Sequence, residues 1–199
     1  DGETGHAGFI QGDLTTGEPR DTKRLVVYRD GVKVATSDWA SASLTDLGDE
    51  KIKLKLDLQA SRDPQQYRWS PRTRTTWTVV SPGLSNGMES IDLMPVLQTA
   101  YDLRTDLDGY ARGGRQSLRV SVTHLADAFG AGKVRKPSLE VSFDEGKSWR
   151  TVPLSASSGA WWTADFGAPK RGAVSLRLSG HDGRGNAVRQ TIIRAYGLR

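Results

Sequence analysis

The sequence predicts an all-β fold made of two β-sandwich-like modules, the second immunoglobulin- or fibronectin-like. Three observations predict it. Short runs rich in β-branched and aromatic residues alternate apolar with polar side chains, as half-buried strands require. The 22 glycines and 8 prolines fall between those runs, where turns belong. No segment longer than one or two turns carries the periodicity of an amphipathic helix.

Taken in order, residues 1–24 are rich in Gly, Thr and Asp and read as a loop or edge segment, with a short strand at Gly8-Phe9-Ile10. Leu25–Tyr28 and Val32–Ala35 flank Asp30-Gly31, a dipeptide suited to the positive φ angles of a tight hairpin turn. From Lys51 to Leu58 the even positions are apolar and the odd ones charged, which puts a Leu/Ile face on a core and a Lys face in water. Thr75–Val80 is a further strand. Ser81-Pro82-Gly83 and Asn86-Gly87 then break the pattern. They place a boundary at residues 82–90, between an N-terminal β module (1–85) and a C-terminal sandwich (90–199). In the second half, strands are expected at Val96–Leu103, Ser117–Leu125, Leu139–Phe143, Trp149–Val152, Trp161–Phe166, Ala173–Leu178 and Val188–Tyr196.

Composition narrows the function classes. Hydrophobic residues make up 36% and charged residues 26% of the 199, a globular balance. No apolar run is long enough for a membrane-spanning helix, and no membrane partner is expected. Cysteine is absent, which excludes disulfides, thiolate metal sites and cysteine nucleophiles. The chain opens on Asp1 and shows no signal peptide, so it reads as a fragment or processed product. The net charge of +5 is uneven, −1 over residues 1–90 and +6 over 91–199. The basic residues are interleaved with acids, a pattern of solubility rather than of a nucleic-acid face, and no nucleic-acid partner is expected.

The residues that could carry chemistry are few. Of the histidines, His6 lies in the irregular N-terminal stretch, His124 continues the core parity of Leu118, Val120 and Val122, and His181 sits in a Gly-His-Asp-Gly turn. No serine occupies a Gly-x-Ser-x-Gly elbow. No catalytic residue and no cofactor are expected. Asp102, Asp106 and Asp108 are the calcium candidates, since calcium takes several oxygens at close spacing. Arg104 interrupts the expected Asp-x-Asp-x-Asp-Gly order, and a solvated turn is the competing reading. Asp182 to Asn186 forms a second such loop, read as a turn whose Asp and Asn bond local amides. Trp77 and Trp149 read as core. Trp39 and Trp69 lie in loops, and adjacent Trp161 and Trp162 point to opposite faces. These last four are the candidate binding surface for a polysaccharide or a protein.

Ser142-Phe143-Asp144-Glu145-Gly146-Lys147-Ser148-Trp149 fits an Asp-box, Ser-x-Asp-x-Gly-x-Ser/Thr-Trp. Its logic is local. Asp144 can accept hydrogen bonds from turn amides, Gly146 can take a positive φ, and Trp149 can fold back into the core beneath the turn. One copy argues against a propeller, which repeats the motif. The stretches 137–149 and 180–198 resemble the C-terminal end of large actinobacterial subtilisin-type (S8) serine peptidases, and Tyr28-Arg29-Asp30-Gly31 and Arg72–Thr78 resemble the region between the protease domain and that end. The resemblance spans residues 24–199. It implies a secreted, extracellular accessory region whose partner is the protease domain of the same precursor. The Asp-Ser/Thr-Gly, His-Gly-Thr and Gly-Thr-Ser-Met motifs of subtilisin-type catalysis are absent, so the resemblance carries over no catalytic residue. The competing function is a carbohydrate- or protein-binding sandwich of an extracellular enzyme.

Overall fold

The computed structural model describes residues 21–44, 50–81 and 94–199. The strand expected at 8–10 and the boundary at 82–90 lie outside them. Among the described residues the fold is all-β, in two sheets. Strand β1 (Thr22–Arg29) and β2 (Val32–Ser37) form the expected hairpin. Asp30 at φ 48° and Gly31 at φ 89° supply the two left-handed positions that its turn needs. The Asp30 carboxylate also accepts the Lys53 amide at 3.2 Å, which fastens the turn to the next strand.

Strand β3 (Ile52–Ser61) pairs antiparallel with β1 on one side and with β4 (Arg72–Ser81) on the other. The second half contributes β5 (Leu97–Asp102), the short β6 (Tyr110–Ala111), β7 (Arg115–His124), β8 (Ser138–Ser142) and β9 (Arg150–Val152). It continues with β10 (Ser155–Ala156), β11 (Trp161–Gly167), β12 (Gly172–His181) and β13 (Ala187–Leu198). Every strand expected between residues 25 and 199 is present. The large sheet runs β2-β1-β3-β4-β13-β12-β8-β9, with β6 parallel to the end of β13, and the small sheet runs β10-β11-β7-β5.

The stretches on either side of residues 82–90 are joined in this order, because β4 pairs with β13 from Thr78↔Ala187 to Arg72↔Ile193. The two expected modules therefore share a sheet. Their apolar interiors differ. The main core lies between the sheets of the second half, where Leu118, Val120 and Phe166 of the small sheet meet Leu139, Val174 and Leu178 of the large one. Alternation explains why these side chains share a face. Trp77 joins that core from β4, and its indole N–H donates to the Leu97 carbonyl at 2.9 Å.

On β3 the expected parity holds for Ile52 and Leu54, which are buried, and for Lys53 and Lys55, which are exposed. Asp57 departs from it. It lies on the Lys face yet is buried, because Arg74 of β4 covers it with a bidentate pair, Nε to Oδ1 at 2.9 Å and Nη2 to Oδ2 at 2.6 Å. Removing the guanidinium would strand a desolvated carboxylate. Arg74→Ala is expected to lower stability by about 1–3 kcal/mol, more than truncation of a solvent-facing arginine does. Urea denaturation checks this; a loss no larger than that of Arg184→Ala would refute it.

Candidate functional site

Two turns and one sheet face gather the polar side chains of this fold. The first turn is the Asp-box between β8 and β9. Glu145 at φ 58° and Gly146 at φ 88° reverse the chain. Ser142 Oγ donates to Asp144 Oδ1 at 2.7 Å and accepts the Gly146 amide at 2.8 Å. The Asp144 carboxylate also takes the Ser148 hydroxyl and, at 2.9 Å, the Ser148 amide. These bonds, the Ser148 hydroxyl first among them, hold its carboxyl well below the usual range. Trp149 folds back so that its N–H donates to the Gly146 carbonyl at 3.0 Å. The expectation that Trp149 is core is corrected here. Its ring is half-buried on the outer face of the large sheet, with the Arg177 guanidinium 3.8 Å above it.

The second turn joins β12 to β13. Asp182, whose side chain is fully buried, accepts the Arg184 and Asn186 amides on Oδ1 at 2.8 and 2.9 Å, which is the local bonding expected of this loop. Its Oδ2 reaches beyond the turn, to the Gly132 amide at 2.8 Å, Asn186 Nδ2 at 2.7 Å and His124 Nε2 at 3.0 Å. Burial pushes the Asp182 carboxyl upward. The Asn186 side chain and the amides of Arg184, Gly132 and Asn186 outweigh this and bring it down to about 2. Asn186 is itself wholly buried, and its Oδ1 accepts the Val80 amide of β4 at 2.8 Å. This node thus ties β4, β7, the loop near residue 131 and the β12–β13 turn together.

The structure separates the calcium candidates. Asp102, on β5, lies 3.5 Å from Arg119. Asp106 and Asp108 do come together, but around Arg199, at 2.5 and 3.4 Å. Asp106 is held below the usual carboxylate range by the Tyr110 amide first, then by Arg199 and the Asp108 amide. A guanidinium therefore occupies the position that a cation bound by both carboxylates would need. Among the described residues, no group of three or more His, Asp or Glu could hold a metal.

The four tryptophans proposed as a surface lie in three places, past the end of β2, before β4 and on β11. Trp39, past the end of β2, is 56% exposed. Trp69 is occupied already: its N–H donates to the Asp108 carbonyl at 2.7 Å, and its ring meets Tyr110 edge-on at 5.0 Å. Trp161 and Trp162 point to opposite faces of β11, and both are half-buried. Trp162 packs on the main core with Lys136 over its ring, and Arg119 lies 4.8 Å from the Trp161 ring.

The sheet face is the part that sequence reasoning missed. Arg24, Gln59, Arg74, Thr191, Arg177 and Glu140 stand abreast in one row across the outer face of the large sheet, on β1, β3, β4, β13, β12 and β8. Between β1, the start of β4 and the Asp-box turn this face dips into an open trough of about 630 Å³, lined by Lys23, Arg24, Arg72, Arg74 and Glu145 among others. The arginines are scattered along the sequence, and only the strand register collects them.

No protein-family model matches the chain, and no curated protein matches it significantly.

Proposed function

We propose that the chain is a non-catalytic accessory region of a secreted, extracellular subtilisin-type serine peptidase, docked on the protease domain of the same precursor. One observation carries the reading. The segments that bear the resemblance are structural partners: Arg72–Thr78 pairs residue by residue with Ala187–Ile193, more than a hundred positions away. The stretches that carry the resemblance thus meet in the large sheet, on β1, β4, β8 and β13. The use of the polar groups adds support. His124, a natural candidate base, is hydrogen-bonded to Asp182, and the other partners of that carboxylate are structural amides. The second half is read as immunoglobulin-like on its strand order. The orders β5-β7-β11-β10 and β13-β12-β8-β9 support this reading, since they follow the A-B-E-D and G-F-C-C′ orders of that fold, with β4 added at the end beside β13.

The reading predicts that the purified chain does not hydrolyse casein or peptide substrates. It also predicts that deleting the region from its parent lowers the Tm of the protease or its secretion yield. Peptidase activity that co-purifies with the chain to homogeneity, or a parent unchanged by the deletion, would overturn it. The exposure of Trp39 favours a second reading, a polysaccharide- or protein-binding module. Retention on insoluble glycan or fibrous protein, lost in Trp39→Ala, distinguishes the two.

A further inference from the structure

The trough on the outer sheet face presents guanidinium groups at the repeat of an extended chain. Arg72 and Arg74 are alternate residues of β4 and so point to the same side, about 6.8 Å apart along the strand. An extended peptide with an acid at every second position offers carboxylates on one side at the same repeat. Arg24 stands in the row of Arg74, two strands away, with the Gln59 side-chain position between them. Arg24 and Arg72 are exposed and have no ion-pair partner among the described residues. Arg74 is committed to Asp57 through Nε and one Nη2 hydrogen, which leaves Nη1 and the outer side of its fork to a ligand. Glu145, the one acid in the lining among the described residues, faces Arg194 at 3.9 Å, so its charge is partly met within the protein.

We infer that this trough binds an acidic peptide segment in extended conformation, with alternate carboxylates received by Arg72 and Arg74 and with Arg24 facing the same segment from β1. Charge complementarity selects an anion, and the planar forks of the arginines suit carboxylates bidentately. The lining selects peptide over single-stranded nucleic acid, since among the described residues no aromatic side chain lines the trough to stack a base. The inference stands on these residues alone and does not depend on the peptidase reading.

The test is fluorescence anisotropy at low salt with three labelled probes: the peptide Glu-Thr-Glu-Thr-Glu-Thr-Glu, a peptide of the same composition with its four glutamates in a block, and a ten-nucleotide oligothymidylate. The alternating peptide is expected to bind several-fold tighter than the blocked one, and more weakly as salt rises. The double variant Arg24→Ser/Arg72→Ser is expected to weaken it about 10-fold at an unchanged Tm. If that variant loses its fold, Arg24→Lys/Arg72→Lys keeps the charge and removes the forks, and is expected to lower the preference for the alternating peptide. Absence of binding, equal affinity for both peptides, or indifference to the arginine substitutions would overturn the inference. Tighter binding of oligothymidylate, lost in the double variant, would overturn it in favour of a nucleic acid.

Discussion

Asp182→Ala is expected to destabilise the protein by about 3–5 kcal/mol, as loss of one partner in a buried charged network does. The carboxylate it removes is the common acceptor for three backbone amides, the Asn186 side chain and the His124 ring. Every one of those donors would be left in a site where Asn186 is wholly buried and Asp182 is 4% exposed. For a domain of this size that corresponds to a fall in Tm of about 10 °C. Asp182→Asn restores only part of it. An amide oxygen can still accept the Arg184 and Asn186 amides, but its NH2 then faces the Gly132 N–H and the Asn186 NH2, donor against donor. The expected order is therefore wild type, Asn variant, Ala variant.

Acid gives an independent check on the same group. The carboxyl of Asp182 is depressed to about 2 in the folded protein, below its unfolded value near 3.9. A depressed carboxyl contributes stability that is present above the unfolded value and lost as pH falls through the folded one. The contribution, about 2 kcal/mol, should disappear between pH ~4 and ~2. Asp106 and Asp144 are depressed too, so acid weakens the wild type through several groups. The difference between wild type and Asp182→Asn isolates Asp182, and scanning calorimetry should show that difference shrinking across the window. A gap that is constant with pH, or an Ala variant as stable as a surface substitution, would contradict this account of the node.

What could be read from the sequence was local. Asp30-Gly31 announced a hairpin because one dipeptide holds both left-handed positions, and the parity of β3 announced its buried face because alternation needs no knowledge of the partner strand. His124 was legible as an edge-of-core residue for the same reason, and Asp182 as a turn residue bonding its own loop. What could not be read depends on which strands meet. The burial of Asp57 follows from Arg74 in the neighbouring strand. The union of the two expected modules follows from β4 finding β13 across a long stretch of chain. The trough arises the same way, since Arg24, Arg72 and Arg74 become neighbours only once the register of β1, β3 and β4 is set. The Asp-box motif lay between these cases. Its hydrogen bonds are internal and were legible, whereas the face on which Trp149 lies depends on Arg177 of β12.

Gly197→Ala is expected to cost about 3 kcal/mol, the upper range for forcing atoms into a packed site. A Cβ there would stand 2.3 Å from Cη2 of Trp69 and 2.5 Å from Cδ1 of Tyr110. Neither ring can simply swing away. Trp69 is anchored by its bond to the Asp108 carbonyl, and Tyr110 by the Arg68 guanidinium on its hydroxyl at 2.7 Å and by Arg199 over its ring. The strand is held as well, since the Gly197 amide donates to the Gly109 carbonyl at 3.0 Å. Gly197 is not among the positive-φ glycines, so alanine meets no backbone penalty and the cost is steric. Gly167→Ala is the control. It too lies in a strand without a positive φ, and nothing stands within 4 Å of its Cβ position, so a change within about 0.5 kcal/mol is expected. Trp69→Ala removes the nearer obstacle, and the Trp69→Ala/Gly197→Ala pair should be less destabilised than the sum of the singles by about 1 kcal/mol or more. Rescue stays partial because Tyr110 remains. Urea melts of the three variants measure the coupling. Strict additivity, or a Gly197→Ala protein as stable as Gly167→Ala, would mean that the aromatic wedge does not hold the last strand in place.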